Sequence, residues 1–298
     1  MRGVSRLAAA ITVLFASAAA CASGDKTFER QVPAEARGVV DISNVGGRID
    51  VTGWDRPEVS VRAELGESVE RVDVNSDHGR TTIKVVLPHH SERDGDAQLH
   101  VQVPKDSELT VSAVSADVTT AGVTGAQRLN TVSGDITAEL AGSDLELKTV
   151  SGDVKLKGHG QPGRLHMSTV SGDVHLEHGA GDLEAGTVSG TLVVSLDSAR
   201  SVRARTTSGD VHFEGKLARG ADFDATSVSG DLKVRASAEG GYAYEISTFS
   251  GDISNCFNAT PSERGHTPGH TLQGTRGDGA GHMRLKTMSG DVQLCDRK

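Results

Sequence analysis

The sequence predicts an all-β protein: a single-chain parallel β-solenoid (β-helix) with coils of about 18–21 residues and a more irregular N-terminal β section. Three observations carry this prediction. A Thr-Val-Ser-Gly-Asp motif returns down the chain, its last position falling at Asp117, Asp135, Asp153, Asp173, Thr191, Asp210, Asp231, Asp252 and Asp291, with spacings of 18, 18, 20, 18, 19, 21, 21 and 39 residues. Apolar and polar residues alternate on both sides of each copy, which is the period-two signature of strands flanking a tight turn. Aromatic residues are only 3% of the chain and glycines number 36, which suits small-side-chain strands and frequent turns rather than a large globular core.

In chain order, residues 1–22 read as an export signal: basic Arg2 and Arg6, a short apolar run over 7–15 and small residues over 16–20. The run is too short to span a bilayer, and no later segment reaches spanning length. Ala18-Ala19-Ala20-Cys21 resembles a bacterial lipobox, which would acylate Cys21, although Ala18 stands where Leu is usual; cleavage after Ala20 or Ala22 is the competing reading. The expected destination is the periplasm or cell envelope, with an outer-membrane lipoprotein as one form, and a lipid on Cys21 is the only membrane attachment foreseen.

Residues 23–108 form the irregular N-terminal β section, a cap of the kind an open stack needs over its edge. There Val40, Ile42, Val45, Gly46-Gly47, Ile49 and Val51 follow the coil pattern with Arg48 at the marker position, and strands follow near 59–63, 72–74, 82–87 and 99–103. Residues 109–298 are the repeat solenoid, with an inserted loop at 257–281 that is rich in Gly, Ser, Thr and His.

Within each copy the positions eight and six before the marker, such as Leu145 and Leu147 or Leu165 and Met167, and those one and three after it, such as Val154 and Leu156, are apolar. A single strand–turn–strand unit cannot bury such a face, but stacked copies share one interior in which each Leu or Val contributes roughly 1.5–3 kcal/mol. The tight turns fall at Gly134, Gly152, Gly172, Gly190, Gly209, Gly230, Gly251 and Gly290. The hydroxyls one residue before the Val position, Thr131, Thr149, Thr169 and their equivalents, are expected to be structural. The Val column itself (Val114, Val132, Val150, Val170, Val188, Thr207, Val228, Phe249, Met288) is expected to bend into the corner of the core, because so many exposed apolar side chains invite aggregation. Strict alternation would instead leave it outside as a stripe suited to a partner.

Four residues after the marker lies an outward column, Glu139, Lys157, Glu177, Ser195, Glu214, Arg235, whose signs suit pairing between stacked coils. It ends in Cys256 and Cys295, which become neighbours if their coils are consecutive, so a Cys256–Cys295 disulfide is expected in an exported chain. Cys21 is then left over for lipidation or removal.

Among candidate sites, the Asp column (Asp135, Asp153, Asp173, Asp210, Asp231, Asp252, Asp291) could form a calcium ladder, but one carboxylate per coil is not the clustered oxygen set that calcium takes. The favoured reading has each Asp accepting backbone N–H groups of its own turn. His266, His270 and His282 in or beside the insertion, and His175 and His212 in one outward column, complete no recognised metal site. No cofactor and no catalytic residue are expected: all the Asp residues are alike, whereas glycoside hydrolysis needs a distinctive pair of carboxylates. The formal charge of −9, with acidic and basic residues interspersed, argues against nucleic acid as a partner.

The stretch Val45-x-Gly47-x-Ile49-x-Val51-x-Gly53-Trp54-Asp55, followed by the serial Thr-Val-Ser-Gly-Asp copies, resembles a bacterial family of unknown function labelled "putative adhesin" and is similar to autotransporter adhesin head domains. The resemblance covers essentially the whole mature chain; Thr191, Thr207 and the insertion after Cys256 depart from it. It implies an extracytoplasmic β-solenoid and transfers no catalytic residue. The expected function is therefore a non-enzymatic, adhesin-like envelope scaffold that binds a protein or glycan. The alternatives are a carbohydrate-active β-helix enzyme and a calcium-stabilised surface protein.

Overall fold

In the computed structural model the described residues are 26–88, 95–142, 144–263 and 269–297. The export signal and Cys21 lie outside them, as does His266. The described residues form an all-β protein without a helix, in which 22 strands join one continuous sheet wrapped around an apolar interior. No helix among them is long and apolar enough to cross a membrane.

Two parallel ladders make up the wrap. Ahead of the corner, Leu145–Lys148 lies in register between 127–130 and 165–168, so that Leu147 sits between Leu129 and Met167. Beyond the corner, Val154–Gly158 lies between 136–140 and 174–177, with Leu156 between Ala138 and Leu176. These side chains are buried in one core that runs from Val32 to Leu294. The repeat length makes the stack possible: only near-equal coils can bring every second residue to the same face at the same corner. The architecture is thus β-solenoid-like, each winding contributing one strand to each ladder.

The winding order departs from chain order at both ends. At the C-terminal end, 281–296 is inserted between 222–238 and 241–255, because Val292 pairs with Leu232 on one side and Ile253 on the other. The stretch 257–281, expected as an inserted loop, is corrected here. It contains His270–Gly277, which runs antiparallel along the outer edge of Gly241–Ser250, and Ser262–Glu263, which pairs with that strand in turn. An open edge of unpaired N–H and C=O groups is thereby covered.

The N-terminal end mirrors this arrangement. Val39–Trp54 is sandwiched between 80–84 and 96–104 on one side and 108–121 on the other. Glu58–Leu65 and Arg71–Asp77 then close the outer winding in antiparallel fashion, and Lys26–Pro33 lies beyond Glu58–Leu65. The N-terminal section therefore continues the same stack and shares its core.

Charge along one face fits the rearranged order. Ion pairs link Arg128 to Glu146 (2.8 Å), Arg205 to Glu184 (3.4 Å), and Arg284 to both Asp224 (3.6 Å) and Glu245 (3.7 Å). In simple chain order Asp224 would stack on Glu245; inserting Arg284 between them removes that like-charge contact. Glu139, Lys157 and Glu177 are in-register neighbours on the other ladder but form no ion pair with one another; in that column Glu214 pairs with Arg297 (3.2 Å).

Candidate functional site

The corner is built from the same parts in winding after winding. Thr149, Thr169 and Thr187 are buried and donate their hydroxyls to the carbonyl oxygens of Gly134, Gly152 and Gly172 of the preceding winding, each at 3.2 Å. In the first winding Asn44 stands at that position and its Nδ2 reaches Ala97 O at 3.1 Å. The backbone repeats as well: the N–H of Ser151 donates to Val132 O at 2.8 Å, and that of Ser171 to Val150 O at 2.9 Å. Glycine is required at the turn because a Cβ on Gly152 would lie 2.2 Å from Gly134 O.

The marker carboxylates take part in the stack. The N–H of Asp153 donates to Oδ1 of Asp135 (2.9 Å), and the same bond recurs from Asp135 to Asp117, Asp173 to Asp153, Thr191 to Asp173, Asp231 to Asp210, Asp291 to Asp231 and Asp252 to Asp291. Every marker Asp but Asp252, at the end of the stack, thus accepts from the next winding rather than from its own turn, which corrects the sequence reading. A backbone N–H directed at one carboxylate oxygen offsets repulsion between successive carboxylates, as do Lys155 near Asp153 (4.0 Å) and Lys233 near Asp231 (3.8 Å). No cluster of three His, Cys, Asp or Glu able to hold a metal occurs among the described residues. His175 and His212 are separated by the winding that carries Val193. His270 and His282 pair with Thr248 and with Asp222 and Ala243, respectively.

The Val column overturns its expectation. Val114, Val132, Val150, Val170, Val188, Val228, Met288 and Phe249 are all exposed, and Val45 joins them, with relative exposure from 39% at Val45 to 57% at Met288. The alternation of the preceding strand persists through the Thr, which points inward, so the next side chain must point out; the chain bends only afterwards, at Ser-Gly. Successive side chains sit about 4.8 Å apart, the spacing of paired strands, and together they make a largely apolar ridge along one corner. Val45, which the sequence places in the coil pattern of Arg48, falls in this column three residues before that marker.

The ridge has one polar interruption, at Thr207. The anomalies of the corner gather there: the adjacent Thr206 hydroxyl is buried without a partner, and the carboxylate of the preceding winding is replaced by Thr191.

At the C-terminal end, Cys256 and Cys295 form a disulfide with Cα atoms 4.9 Å apart, joining the inserted winding to the end winding. Tyr242 donates its hydroxyl to Asp296 (3.0 Å), and burial, reinforced by that carboxylate, raises the pKa of its phenol. Nearby, a polar groove of about 880 Å³ is lined by Arg203, Asp224, Glu245, Gln273, His282 and Arg284, and several of its charges pair with one another. Tyr242 and Tyr244 are buried, so neither offers a ring for stacking a sugar.

With the corner geometry in place, the comparison with known families is informative. Residues 45–295 match the Toastrack DUF4097 family. The chain belongs to that family. Among solved structures, the Toastrack chain is similar to a "putative cell adhesion protein" of Clostridium sporogenes ATCC 15579, at 9% identity and a TM-score of 0.29, covering 92% of this chain and 100% of that one. It is also similar to a "putative lipid binding protein" of Parabacteroides distasonis ATCC 8503, at 11% identity and a TM-score of 0.44, covering 91% and 97%. A third similar structure is a "putative adhesin" of Bacteroides fragilis NCTC 9343, at 11% identity and a TM-score of 0.37, again covering 91% and 97%. No curated protein matches the chain.

Proposed function

We propose that this Toastrack protein is a non-enzymatic, adhesin-like scaffold of the cell envelope whose corner ridge is its interaction surface. The signal-like residues 1–22 support export to the periplasm or envelope, either as a free protein or as a lipoprotein anchored through Cys21. The observation that carries the reading is the exposed ridge from Val45 to Phe249. Its backbone is fixed by bonds between windings, so it is a rigid surface rather than a loose apolar segment. Rigid, repetitive, apolar side chains fit a protein surface better than a sugar, whose recognition asks for aromatic rings and hydrogen-bonding groups. The marker carboxylates, engaged in holding the corner, are structural in this reading.

In-cell photo-cross-linking tests it. A photo-reactive residue at position 150 should give a protein adduct, one at 155 on the adjoining face should not, and Val132→Asp with Val170→Asp should abolish the adduct from 150. No adduct from the ridge, or turnover of a polysaccharide by the purified protein, would overturn the reading.

A further inference from the structure

We infer that the occupant of the ridge is the ridge of a second copy of this chain, arranged in parallel about a two-fold axis that runs along it. This rests on the ridge being the interaction surface, and it names the partner.

Area is the first argument. The exposed Val, Met and Phe side chains present roughly 700 Å² per copy, above the few hundred Å² of a typical apolar patch on a monomer and close to the roughly 800 Å² per partner of a stable interface. Spacing is the second. A row of knobs about 4.8 Å apart matches another row of the same pitch, and an identical chain supplies one over the whole length.

The flanks decide the direction. One side of the ridge carries the marker carboxylates, among them Asp153, Asp210 and Asp291; the other carries Lys148, Arg205 and Lys286 at three of the ten ridge heights, two residues before the ridge position, and uncharged residues at the rest. Lys148 and Arg205 also reach Glu146 and Glu184 on their own face. A two-fold axis along the ridge exchanges the flanks, so each of these cations faces a carboxylate at its own height in the other copy. A two-fold axis across the ridge leaves each flank opposite itself and sets carboxylates against carboxylates.

Thr207 fixes the register. Six ridge positions lie on one side of it and three on the other. In the parallel pair Thr207 meets its own counterpart and every apolar side chain is covered. An antiparallel pair centred on Thr207 strands the outer valines, and any shifted register buries the hydroxyl against valine, the way a lone polar residue specifies register in a coiled coil.

Sedimentation and single-cysteine cross-linking of the full chain carrying Cys21→Ser, with the native disulfide intact, test this. The parent should sediment at twice the chain mass, and the variant with Val132→Asp, Val150→Asp and Val170→Asp at the chain mass with an unchanged circular dichroism spectrum. Val132→Cys, Val150→Cys and Val188→Cys, each alone, should oxidise to covalent dimers, since a parallel pair places every ridge residue beside itself. A monomeric parent would overturn the inference while leaving the ridge free for another protein, which the in-cell adduct then reveals by its mass. A dimer that survives the Asp substitutions, or that cross-links at one position alone, would also overturn it.

Discussion

The middle of the stack and its two ends solve the same problem differently. Between residues 108 and 217 each winding lies on the one before it in the chain, and the bonds at the corner repeat with little change. At each end one winding is slipped in out of order, antiparallel strands cover the last edge, and at the C-terminal end a disulfide ties the two final windings. Repetition suffices where both neighbours are alike. A terminal winding has only one neighbour, so its other edge must be closed by unlike strands and fixed by contacts that the repeat does not supply.

The largest effect that would sharpen this contrast is a cavity in the middle. Leu147→Ala, at a fully buried position between Leu129 and Met167, should lower stability by about 4 kcal/mol in chemical denaturation and loosen windings on both sides. Replacing Cys256 and Cys295 with Ser comes next, at about 3–4 kcal/mol for a 39-residue separation. Its signature should be local: amide exchange should rise in 241–255 and 270–277 while 127–177 stays protected. Equal exchange throughout would mean that the ends are no separate unit.

A smaller change should come from Arg284→Glu. It stacks three carboxylates at 224, 284 and 245 and should cost about 1 kcal/mol at low salt, less at high salt. No change would show that charge does not help to hold the inserted winding. The smallest effect belongs to Glu146 in the regular part. Hydrogen bonds and charge from Lys148 and Arg128 lower its carboxyl from 4.5 to about 2. A depressed folded pKa means that its contribution is complete above about pH 4.5 and is lost as pH falls towards 2. Glu146→Gln should therefore lower the melting temperature slightly at pH 7, and the difference should shrink as pH falls through 4.5 and vanish only below about pH 2.

Much of the regular region was legible because its causes are local. Alternation around Ser-Gly-Asp marks the strands and their inward residues, and equal spacing implies stacking. The Val column was not legible, since its direction depends on whether the chain bends before or after Val150, and both bends fit the same letters. The destination of the Asp column was likewise hidden: Asp135 finds its donor in the next winding, at Asp153, where a reading of single turns looks inside its own. His270–Gly277 reads as loop because Gly274 and Gly277 have low strand preference and interrupt any apolar alternation, and the open edge of Gly241–Ser250 imposes the strand.

By itself the sequence determined the strand–turn–strand unit, its inward and outward faces and the repeat length that lets units stack, all of which follow from backbone periodicity and side-chain size. Only the tertiary structure decided which winding lies beside which, how the ends close and that a line of valines faces water. Those outcomes depend on pairing between distant segments, where edge satisfaction and charge contact choose among orders that the local pattern permits equally.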